Sequence, residues 1–345
     1  MLLTAAVLLA PLPVQSVPAG PGRVAWGRDR DAALAAARRT RRPVLELELD
    51  VSGCGPCAEF GRGPLSVPLV VEALEELFVP LALPRAGGER PAGAGACDRP
   101  RVRFHGPGGA ELLPGADRVR SAEGLVSLAV AALRAGDREV PLWLGLLDHE
   151  LQERSLESAT FAMACFWQGE ALLGSLDGVL ATEAGWLDGR EVVAVRFDPG
   201  RLDYATLVEA AGEMRCASVV YARSDEQLAV ARKVVGGERA RRSEEAPRAP
   251  RDSDRKHYLE RSALRHVPLT PLQALKVNAA LGLKRDALVL LSPRQRVLYG
   301  RVRSALERDP AALGELLRPG AVGALVELAA YEAALVARLD ALEQG

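Results

Sequence analysis

The chain has 345 residues, 48% of them hydrophobic, with 44 Lys and Arg against 45 Asp and Glu. That length exceeds one ordinary core and predicts two domains plus an appendage, while the near-zero net charge excludes the basic footprint of a general nucleic-acid binder. Five cysteines at uneven spacing exclude a disulfide scaffold, and a lone CxxC without a second pair excludes a four-cysteine zinc site.

The first charged residue is Arg23, and residues 2–12 form an apolar run broken by Pro11 and Pro13. This run is too short to span a bilayer. With Val17-Pro18-Ala19 as a small-residue cleavage site, residues 1–19 read as a signal peptide. The expectation is export to a periplasmic or extracellular space, with no membrane span in the mature chain. The alternative is an apolar N-terminus on a cytoplasmic protein.

A first domain is expected over 23–140. Residues 29–39 predict an Ala-rich helix with Asp near its start and Arg near its end, which suits the helix dipole. Residues 43–50 alternate as a strand with one acidic face, and Cys54 follows directly. Helices at 57–62 and 67–77 lead to a strand at 78–83. A Gly/Pro/Ala loop over 84–96 precedes strands at 101–104 and 110–113 around the turn His105-Gly106-Pro107-Gly108-Gly109, and a helix at 122–134 closes the unit. Arg99, Arg101 and Arg103 predict a solvated strand face, and Cys97 is a bystander.

A CxxC between strand and helix puts its first sulfur near unpaired N–H groups and the positive dipole end, which favours thiolate. The two-residue spacer keeps Cys57 within disulfide reach of Cys54, so the pair can cycle between dithiol and disulfide. Arg42-Pro43-Val44 before the strand, then Cys54-Gly55-Pro56-Cys57, then Val79-Pro80-Leu81, resemble the thioredoxin superfamily over 24–135. The resemblance implies that Pro100 is the cis-proline beside the redox pair.

A second domain is expected over 155–262. Its predicted elements are a strand at 159–163, a helix at 166–175, strands at 179–185 and 191–197 joined across Asp188-Gly189, a helix at 204–213, a strand at 217–221 and a helix at 225–234. That order, β-α-β-β-α-β, is a split βαβ of ferredoxin-like type. The fold class is therefore mixed α/β, of α+β kind. Residues 236–251 predict a solvated loop, and 263–345 a helical extension with helices at 270–281 and 320–342, the last carrying Leu325, Leu328, Tyr331, Leu335 and Leu339 on one stripe.

Cys165 stands between strand and helix with two aromatic residues after it. The run 159–167 ending Ala164-Cys165-Phe166-Trp167, with Glu170, Leu176-Asp177-Gly178-Val179, Gly185-Trp186, Glu191 and Phe197-Asp198-Pro199, is similar to A-type peptide methionine sulfoxide reductases. The late segment Asp254-Arg255-Lys256-His257-Tyr258-Leu259 continues the resemblance. Ala164 and Gln168 stand where that family has glycines, Trp186 where it has tyrosine, and its Gly-Asn-Asp loop is missing before Cys216.

The resemblance implies that Cys165 attacks a sulfoxide sulfur and Glu191 protonates the departing oxygen. It implies that Phe166, Trp167 and Trp186 enclose the S-methyl group, with His257 a polar neighbour. Attack yields a sulfenic acid that must meet a second thiol, either Cys216 or the dithiol of Cys54 and Cys57. The expected partners are methionine sulfoxide, free or in peptides, and an upstream thiol reductant, with cysteine thiols as the only redox carriers. The competing reading is a thiol–disulfide oxidoreductase whose second domain has lost catalysis.

Overall fold

The computed structural model describes residues 22–49, 55–84, 100–117, 119–314, 316 and 325–344. Residues 1–19, read above as a signal peptide, lie outside them, as do Cys54, Cys97, Arg99 and nearly all of the 84–96 loop. The Arg99–Pro100 peptide bond is likewise outside, and with it the cis-proline expectation. The chain separates into two compact units, one comprising the chain to Ser66 with Leu74–Arg120, the other Val67–Ala73 with Ser121–Gly345. Both mix helices with strands.

In the first unit, α1 (Arg30–Thr40) starts on Asp29, whose side chain accepts from the Ala32 N–H, and stops at Arg41, which turns left-handed at φ 57°. The chain reverses there into β1 (Val44–Leu49). α2 (Gly55–Arg62), β2 (Val79–Pro84), β3 (Arg101–His105) and β4 (Ala116–Asp117) follow, with α3 (Pro68–Leu77) between α2 and β2 in the chain and its residues to Ala73 assigned to the second unit, and the sheet order is β2-β1-β3-β4. β1 runs parallel to β2 and antiparallel to β3. Ala33 and Ala37 of α1 pack on Val44 and Leu81.

One expectation is corrected here. The strand predicted at 110–113 is a single bridge from Glu111 to His105, and the ladder is carried by 116–117 instead. Pro114 has no N–H to extend the pairing, and Gly115 follows it. On the arginine face, Arg103 is ion-paired, contacting Glu48 at 3.0 Å and Glu111 at 3.4 Å. Beside it Glu46 is buried, paired with Arg30 at 2.8 Å and His105 at 3.2 Å. The His105 hydrogen bond, ahead of the opposing effect of burial, holds its carboxyl below the usual range.

The second unit contains α4 (Ala122–Ala135), α5 (Leu142–Leu151), β5 (Glu157–Met163), α6 (Phe166–Gly174), β6 (Val179–Leu187), β7 (Arg190–Phe197), α7 (Tyr204–Glu213), β8 (Val219–Ala222), α8 (Asp225–Val235) and β9 (Ala240–Arg242). The sheet order is β6-β7-β5-β8-β9. β6 and β7 join through Asp188 and Gly189, both at positive φ (50° and 71°), as a two-residue hairpin of right-handed twist requires. The segment predicted as a solvated loop contributes β9, parallel to β8, and a bridge from Arg248 to Trp186. Ala240 is buried while Arg241 and Arg242 stay exposed, so an edge strand forms in spite of the charge.

The remaining helices are α9 (His257–Glu260), α10 (Pro271–Gly282), α11 (Pro293–Arg308) and α12 (Leu325–Gln344). α10 and α11 each begin with Pro behind a reciprocal capping box, Thr270 with Gln273 and Ser292 with Gln295. Tyr331, Leu335 and Leu339 of α12 pack on Leu298, Val302 and Ala305 of α11. No helix among the described residues is long and apolar enough to cross a membrane.

Candidate active site

Extended β5 gives way to α6 at Cys165, the N-cap residue, whose own side chain makes no capping bond. The first N–H groups of a helix have no partner within it and attract an acceptor. That acceptor comes from another strand. β7 pairs antiparallel with β5 so that Glu191 lies opposite Met163, and the Phe166 N–H donates to Glu191 Oε2 at 2.7 Å. A carboxyl group and the half-buried thiol of Cys165 thus share the first turn of α6.

The aromatic residues gather on the same turn. Phe166 meets Trp186 edge to face at 5.8 Å between centroids and Trp167 at 6.3 Å. Trp186 is held because the β6–β7 hairpin sets it opposite Glu191. Trp167 stacks flat on His257 at 3.8 Å, with the Arg261 guanidinium 5.9 Å from the indole centre. Trp167 Nε1 and His257 Nδ1 are buried without a hydrogen-bond partner among the described residues. Burial, with help from Arg261, pushes the His257 imidazole below its ordinary value and favours the neutral ring.

Lys256 and Glu170 fix His257 in place, a pairing that periodicity does not reveal. Lys256 sits at φ 46°, its N–H donating to Glu170 Oε2 at 2.9 Å and its Nζ to Glu170 Oε1 at 2.5 Å and the Thr182 carbonyl at 2.5 Å. Glu170 is 0% exposed. One buried ion pair therefore ties α6 to β6 and to the residue preceding His257. Asn278 of α10 then accepts from the Tyr258 and Leu259 N–H groups, each at 3.1 Å. Lys276 of α10 donates to the Gly174 and Leu176 carbonyls, so a cation faces the C-terminal end of α6.

Cys216 lies just ahead of β8, buried, its thiol directed at the Met214 carbonyl at 3.5 Å. Cys165, Glu191, Phe166, Trp167, Trp186 and His257 are thus brought together. Cys57 (in α2) and Pro100 (ahead of β3) are buried in the first unit. Gln168 is exposed.

No family model matches the chain. Its sequence is similar to peptide methionine sulfoxide reductase MsrA of Salinispora tropica, 31% identical over 21% of this chain and 48% of that protein. MsrA of Geobacter metallireducens is 37% identical over 15% of this chain and 43% of the relative. Peptide methionine sulfoxide reductase A5 of Arabidopsis thaliana is 34% identical over 16% and 28%. The chain spans about half the length, or less, of the curated relatives it matches. These similarities support an MsrA-like domain within the chain.

Proposed function

We propose that the second unit reduces methionine sulfoxide, free or peptide-bound, and that the dithiol of Cys54 and Cys57 supplies the electrons. The reading is carried by the Glu191 carboxyl on the Phe166 N–H, beside Cys165 and within the cluster of Phe166, Trp167, Trp186 and His257. Aromatic rings hold a methyl-bearing sulfur through dispersion and sulfur–aromatic contact. The thiolate of Cys165 attacks the sulfoxide sulfur. A proton from Glu191 reaches the oxygen, because an unprotonated oxygen does not leave. The hydroxyl passes from the methionine sulfur to the Cys165 sulfur as the bond between the two sulfurs breaks, methionine departs, and a thiol must reduce the sulfenic acid left on Cys165. The order β6-β7-β5-β8 agrees with a split βαβ, and the order β2-β1-β3-β4, with Cys57 in the helix after β1, agrees with a thioredoxin-like first unit.

The test is dithiothreitol-dependent reduction of a methionine sulfoxide peptide by the full chain. Cys165→Ser abolishes turnover. Glu191→Gln keeps an acceptor for the Phe166 N–H but has no proton to give, so kcat falls about 10²–10⁴-fold. Cys54→Ser retains activity with dithiothreitol, which reduces Cys165 directly. Turnover that survives Cys165→Ser refutes the assignment. Insulin-disulfide reduction that needs Cys54, with no sulfoxide reduced, establishes the oxidoreductase reading instead.

A further inference from the structure

Trp186 is paired on both sides, and the outer pairing brings a cation to the site. On one side it lies opposite Glu191 of β7, and on the other it bridges to Arg248, exchanging both backbone hydrogen bonds at 2.9 Å. Directly opposed residues of antiparallel strands put their side chains on one face, so Arg248, Trp186 and Glu191 form a row across the sheet. Gly185 lets the Arg248 segment sit this close: a Cβ there would fall 2.7 Å from the Pro247 Cβ and 3.0 Å from the Arg248 carbonyl oxygen. A second cation stands beside Trp167. Arg261 is the C-cap residue of α9, which Asn278 holds through the Tyr258 and Leu259 N–H groups, and its guanidinium lies 5.9 Å from the indole centre. Phe166 meets both indoles, so the two arginines flank the ring that follows Cys165.

Both arginines are exposed, and neither has an ion-pair partner among the described residues. The carboxylates on this side are engaged elsewhere: Glu191 accepts from the Phe166 N–H, Glu170 holds Lys256, and Asp252 lies 3.8 Å from Arg255. Asp254, which acts on the charge of His257, offsets the arginines only in part, one carboxylate against two guanidinium groups. A guanidinium presents a planar fork of donors that matches a carboxylate, and unpaired cations around a site raise the local concentration of anionic ligands.

We propose that Arg248 and Arg261 select methionine sulfoxide residues flanked by Asp or Glu in an acidic peptide segment. This deepens the reductase reading above and rests on it. Neighbouring strands lie about 4.8 Å apart, which sets the Arg248 Cα about 10 Å from that of Glu191. An extended peptide covers this distance in about three residues, so the favoured acids stand within that many positions of the sulfoxide. Free methionine sulfoxide also has a carboxylate, but its ammonium group is repelled by the same two cations. An acidic side chain in a peptide brings no such charge. The arginines act on the flanks and not on the reacting sulfur, so the preference appears in KM rather than kcat.

The experiment compares methionine sulfoxide peptides of one length, carrying Asp, Ser or Lys on both flanks, as substrates of the full chain with dithiothreitol. Wild-type kcat/KM is expected to fall in the order Asp, Ser, Lys, with about fivefold or more between the first and the last, and high salt flattens the series. Arg248→Gln and Arg261→Gln each remove part of the Asp-to-Lys ratio, and together they bring it within about twofold of unity. The paired Lys substitutions restore most of it, which a merely structural role of the arginines would not produce. Because the readout is a ratio, a general loss of activity cancels. A wild-type ratio near one, or one that survives the double Gln variant, overturns the arginine assignment, while reduction of the peptides leaves the reductase reading standing. A stronger arginine dependence for free methionine sulfoxide than for the Asp peptide assigns these groups to the substrate's own carboxylate and overturns the acidic-peptide proposal. No reduction of any peptide overturns both readings.

Discussion

Lys256→Met cuts the ammonium out of the Glu170 pair while keeping much of the side chain's length and the backbone N–H bond to Glu170 Oε2. Glu170 then retains that N–H and the Thr182 hydroxyl at 3.1 Å, but no cation. Breaking a buried pair by removing one partner costs about 3–5 kcal/mol, because the remaining charge is uncompensated. The Lys256 side chain is 17% exposed against 1% for Glu170, so solvent relieves part of the loss and the expected cost is at the low end, about 3 kcal/mol. For a unit of this size that lowers the melting temperature by about 6–12 °C. Urea denaturation of wild type, Lys256→Met, Glu170→Gln and the double variant measures the coupling. The double variant buries no orphan charge and is expected to recover at least about 1.5 kcal/mol relative to the sum of the single costs. A Lys256→Met cost below about 1 kcal/mol, or strictly additive single costs, refutes the claim that this pair holds His257 on Trp167.

Gly282→Ala places a methyl group 2.6 Å from the Ala171 Cβ and 2.7 Å from the Tyr258 ring, where α10 crosses α6. Such overpacking costs about 1–3 kcal/mol, measurable by denaturant midpoint, whereas the same change at the uncrowded Gly300 is neutral or stabilising. Desolvation pulls the half-buried Lys276 ammonium down from an ordinary 10.5 to about 8. Across that window the unfolded chain holds a proton the folded chain lacks, so stability rises with pH from about 8, and Lys276→Met removes the rise between pH 8 and 9. Above pH 9 the raised Cys216 thiol acts in the opposite direction, since there the folded chain holds the extra proton.

Local pattern located most of the elements because short-range rules decide them. α7 spans Tyr204–Glu213 as its periodicity and the Asp203 cap predict, and the Asp188-Gly189 turn sets the β6–β7 hairpin. Elements whose signal is long-range escaped. α5 is apolar on most sides and starts on Pro141 without a side-chain cap, so nothing in its sequence separates it from a connector. β9 exists only because the edge of β8 is free to pair. α11 is a different case, since Ser292-Pro293 with Gln295 is a helix-start signature that was open to reading.

The site divides along the same line. Cys165 and its aromatic neighbours are adjacent in sequence, and Glu191 follows from them once the hairpin is recognised: a two-residue turn fixes register, and register fixes which residue of β7 faces the start of α6. Lys256 has no comparable route. It stands 86 residues from Glu170, at a left-handed backbone angle that favours glycine or asparagine, so neither propensity nor spacing points to it. An isolated lysine there is under strain. The strain is offset because three acceptors on Glu170 and Thr182 converge on its ammonium, and their convergence exists only after β6 and α6 have packed. Placing His257 on Trp167 is thus a late, cooperative product of the fold, and variants of Lys256 are expected to loosen that stack while the sheet carrying Cys165 and Glu191 stays formed.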